Sequence, residues 1–109
     1  MTSDKLFLHA ADSLVGFYTQ EFGGKDHGRY RISAKLLRAL MRRRRLYEAD
    51  ISRLARELLE RGYVLVDMEG FFVVLSANSF VNYRRVSDTI VQDAVEGFQR
   101  NGGLAPGGT

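Results

Sequence analysis

The sequence contains no cysteine and no tryptophan, only two histidines, and a single proline among its 109 residues. Without cysteine the chain can form neither a disulfide scaffold nor a thiolate zinc site, and this composition fits a reducing compartment. No apolar run approaches the roughly 18 residues that a membrane span requires. We therefore expect a soluble, cytoplasmic protein without a membrane partner.

The length limits the fold to one domain, since domains typically comprise about 100–150 residues. Hydrophobic residues make up 45% of the chain, which is enough for a modest core and is more than disordered segments contain. Four glycines and the only proline fall within residues 101–109. We expect a single folded domain over residues 1–100 and a disordered tail over residues 101–109.

The chain has few of the residues that catalysis and metal binding use. His9 and His27 lie far apart in the sequence, and no paired carboxylates accompany either of them at ligand spacing. The glycine pairs at 23–24 and 102–103 do not have the spacing of a phosphate-binding loop. We therefore predict a protein that is not an enzyme and has no catalytic residue, metal or cofactor.

Positive charge is concentrated in the middle of the chain. Positions 25 to 61 hold twelve basic and five acidic residues, a net charge of +7, whereas the remainder holds four basic and eight acidic residues, a net charge of −4. Thirteen of the sixteen basic residues are arginine, whose guanidinium group forms paired hydrogen bonds with phosphates and base edges. This distribution predicts one basic functional face.

Helical periodicity predicts four helices, and period-two alternation predicts one hairpin. The predicted helices cover residues 4–22 after the cap Ser3, residues from the cap Ser33 to about Met41, residues 48–61 ending at Gly62, and residues from the cap Ser87 to about Phe98. The hairpin pairs residues 63–67 with 71–75 around the turn Glu69-Gly70, while residues 25–30 and 77–85 are predicted to be loops or irregular.

The run Arg42-Arg43-Arg44-Arg45 decides where the second helix ends. Four consecutive helical residues sweep about 300° around the axis, so Arg44 would continue the apolar stripe into the core. An unpaired buried arginine is costly. Either the helix ends between Met41 and Arg43, or Arg44 finds an acidic partner. We expect the early end, with a turn following through Arg44–Leu46.

This order of elements resembles a winged helix-turn-helix domain. The segment ISAKLLRAL resembles its second helix, EADISRLARELLERGYV resembles its recognition helix, and YVLVDMEGFFVVL resembles its wing, so the resemblance covers about 45 of the 109 residues. It implies an α+β fold in which the recognition helix lies in the major groove of duplex DNA. The function that it implies is sequence-selective DNA binding by a transcriptional regulator.

Within this layout the candidate DNA-binding residues form two groups. The phosphate-binding group is Lys35, Arg42, Arg43, Arg44 and Arg45, and the base-reading group is Ser52, Arg53 and Arg56. The alternative for the first group is a solvated basic helix end. The alternative for the second is surface ion pairing, because Arg53–Glu57, Arg56–Glu60 and Glu57–Arg61 are spaced i, i+4.

Acidic residues favour a second hypothesis. The expected wing tip carries Asp67 and Glu69 without a basic residue, and Glu57 and Glu60 are expected on the open face of the third helix. These residues favour a protein-interaction module, an adaptor or antagonist that does not bind DNA. RNA binding ranks third, because the chain lacks the exposed aromatic sheet motif of RNA-binding modules.

The first and last helices carry more apolar residues than a small chain needs for its core. We expect a homodimer through these helices, formed by Phe17, Tyr18 and Phe22 together with Val91, Val95 and Phe98. The alternative is that the same side chains complete the core of the monomer.

Overall fold

The structure is a computed structural model, and it describes residues 2–101. Its helices are α1 (Thr2–Tyr18), α2 (Ala34–Leu40), α3 (Glu48–Glu60) and α4 (Asp88–Arg100), its strands are β1 (Tyr30–Ser33), β2 (Tyr63–Asp67) and β3 (Phe71–Ser76), and a short 3-10 turn covers Ala77–Phe80. The fold is α+β, as predicted. Apart from Asn101, the predicted tail lies outside the described residues.

The sheet has three antiparallel strands in the order β1-β3-β2, rather than the predicted hairpin alone. The added strand β1 pairs with β3, with Tyr30 opposite Val74 and Ser33 opposite Phe71. Its four residues are too few for their alternation to be recognised in the sequence. The strand forms because it pairs with residues about 40 positions away. The resulting order of helices and strands is compatible with a winged-helix-like layout.

The core lies where α1 crosses α3 above one face of the sheet. Its buried side chains are Phe7, Ala10, Ala11 and Leu14 from α1, Leu37 and Met41 from the end of α2, Leu54 and Leu58 from α3, and Phe72 and Val74 from β3. The two alanines are fully buried, so small side chains let α1 approach α3 closely.

Three of the predicted helix boundaries are confirmed, and the end of α2 falls one residue before the predicted range. The Ser33 hydroxyl accepts a hydrogen bond from the Leu36 N–H at 3.1 Å, and α2 ends at Leu40, before the four arginines. The Ser87 hydroxyl caps α4 by accepting from the Ile90 N–H at 3.2 Å. Gly62, with φ of +87°, follows α3 in the left-handed conformation that glycine favours.

The first helix differs from its predicted bounds, because it begins at Thr2 and ends at Tyr18. Beyond it the chain reverses through Gly23 and Gly24, both at positive φ, with backbone hydrogen bonds joining Phe22 and Lys25 in both directions. The apolar spacing that suggested a helix as far as Phe22 therefore reflects packing in a turn.

The aromatic residues near the end of α1 pack within the chain. Phe17 and Phe22 each make an edge-to-face contact with Tyr30, with ring centroids 6.1 and 5.7 Å apart. Tyr18 makes the same kind of contact with Tyr63 at 5.1 Å. These side chains therefore have partners in the monomer, whereas those of α4 do not take part in the core. Within residues 2–101, none of the helices has the length and apolar character needed to cross a bilayer.

Tyr30 provides a test of how β1 is attached to α1. Its hydroxyl donates a hydrogen bond to the Leu14 carbonyl at 2.6 Å, and burial raises its pKa above the usual value near 10. A raised folded-state pKa means that this stabilisation is present below about pH 10 and is lost as the pH rises further. We expect Tyr30→Phe to lower the free energy of unfolding by about 1 kcal/mol at pH 7 in urea titrations.

The same substitution should also weaken the loss of stability above pH 10, because Tyr30 can then no longer ionise. If the free energy of unfolding fell equally steeply with pH above 10 in wild type and in Tyr30→Phe, this assignment would be contradicted.

Candidate nucleic-acid interface

The turn between α2 and α3 begins with a left-handed arginine. The Arg43 N–H donates to the Arg38 carbonyl at 2.9 Å and the Arg42 N–H donates to the Ala39 carbonyl at 3.0 Å, which is the Schellman pattern of a helix end. Arg42 occupies the position with φ of +58°. The corresponding position after α3 is Gly62. A side chain in this conformation costs about 1 kcal/mol relative to glycine.

Four of the predicted phosphate-binding side chains are exposed to solvent, three of them in this turn and one near the start of α2. They are Lys35, Arg42, Arg44 and Arg45, and none of them forms an ion pair or side-chain hydrogen bond with any residue in the described part of the chain. Because no carboxylate neutralises them within this part, their charge is available to an anionic partner.

Arg43 differs from its neighbours because it lies inside the turn. Its Nη1 donates to Oδ1 of Asp50 at 2.7 Å, and its guanidinium group lies 5.4 Å from the ring centre of Phe7. Oδ2 of Asp50 accepts from the Tyr47 N–H at 3.0 Å, which closes the first turn of α3. Arg43 therefore joins the end of α2, the start of α3 and α1.

Arg53 points towards α1 rather than away from the protein. It donates to Asp4 at 3.1 Å and to Glu57 at 3.4 Å, and its guanidinium group lies 4.8 Å from the ring centre of Phe7. Hydrogen bonding to Asp4 is the main cause of its raised pKa. Of the predicted base-reading residues, Arg53 is the one whose side chain has ion-pair partners in the part of the chain that the structure describes.

Glu57 was predicted to lie on the open face of α3, but its carboxylate lies between two arginines. Its carboxylate accepts from Arg53 and from Nη1 of Arg61, the latter at 3.0 Å, and Arg61 also donates to Asp12 of α1 at 2.9 Å. The hydrogen bond from Arg61 is the main reason why the pKa of Glu57 is lowered. The prediction failed because α1 packs beside this face and brings the arginines together around the carboxylate.

The outward face of α3 carries Ser52 and Arg56, both exposed. The predicted pair of Arg56 with Glu60 does not form, so the Arg56 guanidinium group has no ion-pair partner within residues 2–101. Tyr47, which sequence reasoning did not single out, is exposed immediately before α3. The sequence signal for Tyr47 was its position between the four arginines and the acidic first turn of α3.

The hairpin of β2 and β3 ends in an acidic tip beside this surface. Oδ1 of Asp67 accepts from the Glu69 N–H at 2.8 Å, and Glu69 has a φ of +74°. A hollow of about 240 Å³ separates the tip from the helices and is lined by Asp67, Glu69 and Arg38 among others. The tip therefore lowers the positive potential on one side of the arginine-rich turn.

Within residues 2–101, no three His, Asp or Glu side chains are grouped in a way that could hold a metal ion. Comparison of the chain with known protein families, curated proteins and solved structures finds no match. The assignment of a function therefore depends on the geometry of these residues.

The strain at Arg42 can be measured. We expect Arg42→Gly to raise the free energy of unfolding by about 1 kcal/mol in urea titrations, because glycine adopts a positive φ without a steric penalty. Arg44→Gly is the matched control, since it removes the same charge from a residue that does not have a positive φ. Equal effects of the two substitutions would show that φ at Arg42 carries no cost.

The ion pairs of Glu57 predict that the stability of the fold falls at acid pH. A lowered folded-state pKa means that the stabilisation is present above the unfolded value of about 4.3 and is lost as the pH falls through the folded-state value. We expect Glu57→Gln to lower the melting temperature at pH 7 and to flatten its fall below pH 5. Glu60→Gln, which removes a carboxylate without such partners, should leave both unchanged.

Proposed function

We propose that this chain is a winged helix-turn-helix protein that binds duplex DNA sequence-selectively and acts as a transcriptional regulator. The observation that carries the proposal is Arg42, which occupies a left-handed position where glycine would be more stable. Strained residues persist where the surrounding structure or a function requires them. A requirement for positive charge at this exposed turn explains the arginine.

Phosphate binding is assigned to the exposed basic residues of the turn and of α2. Lys35, Arg42, Arg44 and Arg45 carry four positive charges that no carboxylate neutralises within residues 2–101. Binding of such residues to phosphates releases counterions and makes affinity depend on salt, but it conveys no sequence information. Arg43 has an indirect role in this proposal, because its ion pair with Asp50 would have to break before its guanidinium group could bind a phosphate.

Base reading is assigned to the outward face of α3. Arg56 has no ion-pair partner among the described residues, so it can form paired hydrogen bonds with guanine in the major groove, and Ser52 lies one helical turn before it. Arg53 has a supporting role, since its bond to Asp4 and its contact with the Phe7 ring hold α3 against α1. Tyr47 lies at the N-terminal end of the helix, where recognition helices approach the base edges.

The two groups of arginines should differ in what they contribute. We expect Arg44→Ala with Arg45→Ala to weaken binding equally on specific and random duplexes and to reduce the salt slope by about two units, roughly one for each lost phosphate contact. Arg56→Ala should cost roughly 1–3 kcal/mol on the preferred site and less on random DNA. Fluorescence anisotropy over a salt series, on sites selected from random duplexes, measures both effects.

The paired substitution Arg84→Ala with Arg85→Ala is the control, since it removes two adjacent exposed arginines outside the proposed interface. It should leave the salt slope and the sequence preference unchanged. Absence of duplex affinity for the wild type at low salt would refute the DNA-binding proposal. If Arg56→Ala and the double substitution at the turn behaved alike, α3 would not be the reading helix.

A protein-interaction module remains the second candidate, and the wing tip favours it. Asp67 and Glu69 repel phosphate, Met68 between them is half exposed, and Leu59 on α3 is 60% exposed. The two functions make opposite predictions for Asp67→Asn with Glu69→Gln. If the wing lies near DNA, this pair should increase duplex affinity, whereas an interaction module should lack duplex affinity both before and after the change.

A further inference from the structure

The last helix is amphipathic but is not covered by any other part of residues 2–101. No residue of α4 is buried, and its larger apolar residues Ile90, Val91, Val95 and Phe98 are between 44% and 59% exposed. Their spacing places them on one face of the helix. An isolated helix of 13 residues is marginal in water, so this face requires a partner.

The position of α4 agrees with a helix held away from the core. The radius of gyration is 19.4 Å and the longest extent is 52 Å. A compact chain of about 100 residues has a radius of gyration near 13 Å. The helix also carries Asp88, Asp93 and Glu96 against a single basic residue, Arg100, so it is an acidic element attached to a basic body.

An apolar groove lies between the end of α1, the edge strand β1 and α2. Its volume is about 280 Å³, and Phe17, Phe22, Ile32 and Leu36 contribute its apolar surface. Phe22 and Leu36 are exposed there although both are large and apolar. This groove and α4 are therefore two uncovered apolar surfaces of the same chain.

The rim of this groove is basic. Arg31 lines it, and a neighbouring hollow that shares Phe22, Tyr30 and Arg31 with it is also lined by Lys25 and Arg29. Within the described part of the chain, no carboxylate lines either hollow. The groove is therefore complementary to α4 in both polarity and charge.

We propose that α4 of one copy of this chain docks in the groove of a second copy, and that the second copy returns the contact. This deepens the homodimer that we expect the proposed function to use, but it does not depend on DNA binding. The face with Ile90, Val91, Val95 and Phe98 covers Leu36 and Phe22 of the other copy. The acidic residues of α4 then lie near Arg31 and Lys25.

The area required for a stable dimer favours this arrangement over a direct pairing of the two α4 helices. One contact about 20 Å long and 10 Å wide covers on the order of 400 Å² summed over both partners, which is less than half of the roughly 1,000 Å² expected for a specific interface. Reciprocal docking around a twofold axis provides two such contacts. Direct pairing would also bring the acidic residues of two α4 helices together.

Sedimentation velocity over a concentration series tests whether the dimer forms. We expect Val91→Glu on α4 and Leu36→Glu in the groove each to weaken dimerisation at least tenfold, without changing the circular dichroism of the domain. Thr89→Glu is the matched control, because it adds the same charge on the opposite face of the same turn. Dimerisation of the wild type should also weaken as salt is added, since opposite charges meet at the rim.

Chemical cross-linking tests where the helix docks. The chain contains no cysteine, so Leu36→Cys and Val95→Cys each introduce a unique thiol. A short thiol cross-linker should join a mixture of these two variants into covalent dimers. Val95→Cys alone should remain monomeric on denaturing gels.

Three results would overturn the proposal. The first is a wild type that stays monomeric at high concentration. The second is efficient cross-linking of Val95→Cys to itself, which would indicate direct pairing of two α4 helices. The third is a cross-link within one monomer of a chain that carries both substitutions. Dimerisation without any duplex affinity would leave this inference standing while refuting the proposed function.

Discussion

Phe7 contacts the guanidinium groups of two arginines from different parts of the chain, and the relative positions of the helices depend on this contact. Arg43 reaches it from the turn after α2 and Arg53 from α3. Cation–π contacts of this kind contribute most when they are shielded from water, and Phe7 is buried. Each arginine is also held by a carboxylate, Asp50 or Asp4, so its position is fixed from two sides.

This arrangement divides the arginines of the basic segment into two classes. Arg43, Arg53 and Arg61 are paired with carboxylates and connect α1 with α3. Arg44 and Arg56, like Arg42 and Arg45, remain exposed without such partners in the described residues. The paired arginines hold the frame, and the exposed arginines provide the charge that we assign to phosphate and base contacts.

Charge is also separated along the length of the molecule. The turn between α2 and α3 is strongly basic, whereas the hairpin tip with Asp67 and Glu69 and the last helix are acidic. Electrostatic attraction is therefore available both to an anionic ligand at the turn and between α4 and a basic surface on another copy. The two interactions use different residues, so one does not exclude the other.

Local sequence determined most of the secondary structure. The hydroxyl caps Ser33 and Ser87, the left-handed Gly62 and the cost of burying Arg44 are properties of a few neighbouring residues. They correctly predicted the start of α4, and they predicted the end of α2 and the bounds of α3 to within one residue. The β2–β3 hairpin followed from the period-two alternation of its residues. The exposure of Ser52 and Arg56 also followed from the apolar stripe of α3 alone.

The other features depend on contacts between residues distant in sequence, so the tertiary structure decided them. The strand β1 exists through its pairing with β3, and α1 stops at Tyr18 because the chain must turn back to form that strand. Helical spacing singles out Arg44 among the four consecutive arginines, yet Arg43 is the one that meets Asp50 and Phe7. Which charges remain free is set by where α1 packs, and an arginine is available to a ligand only where packing has given it no carboxylate.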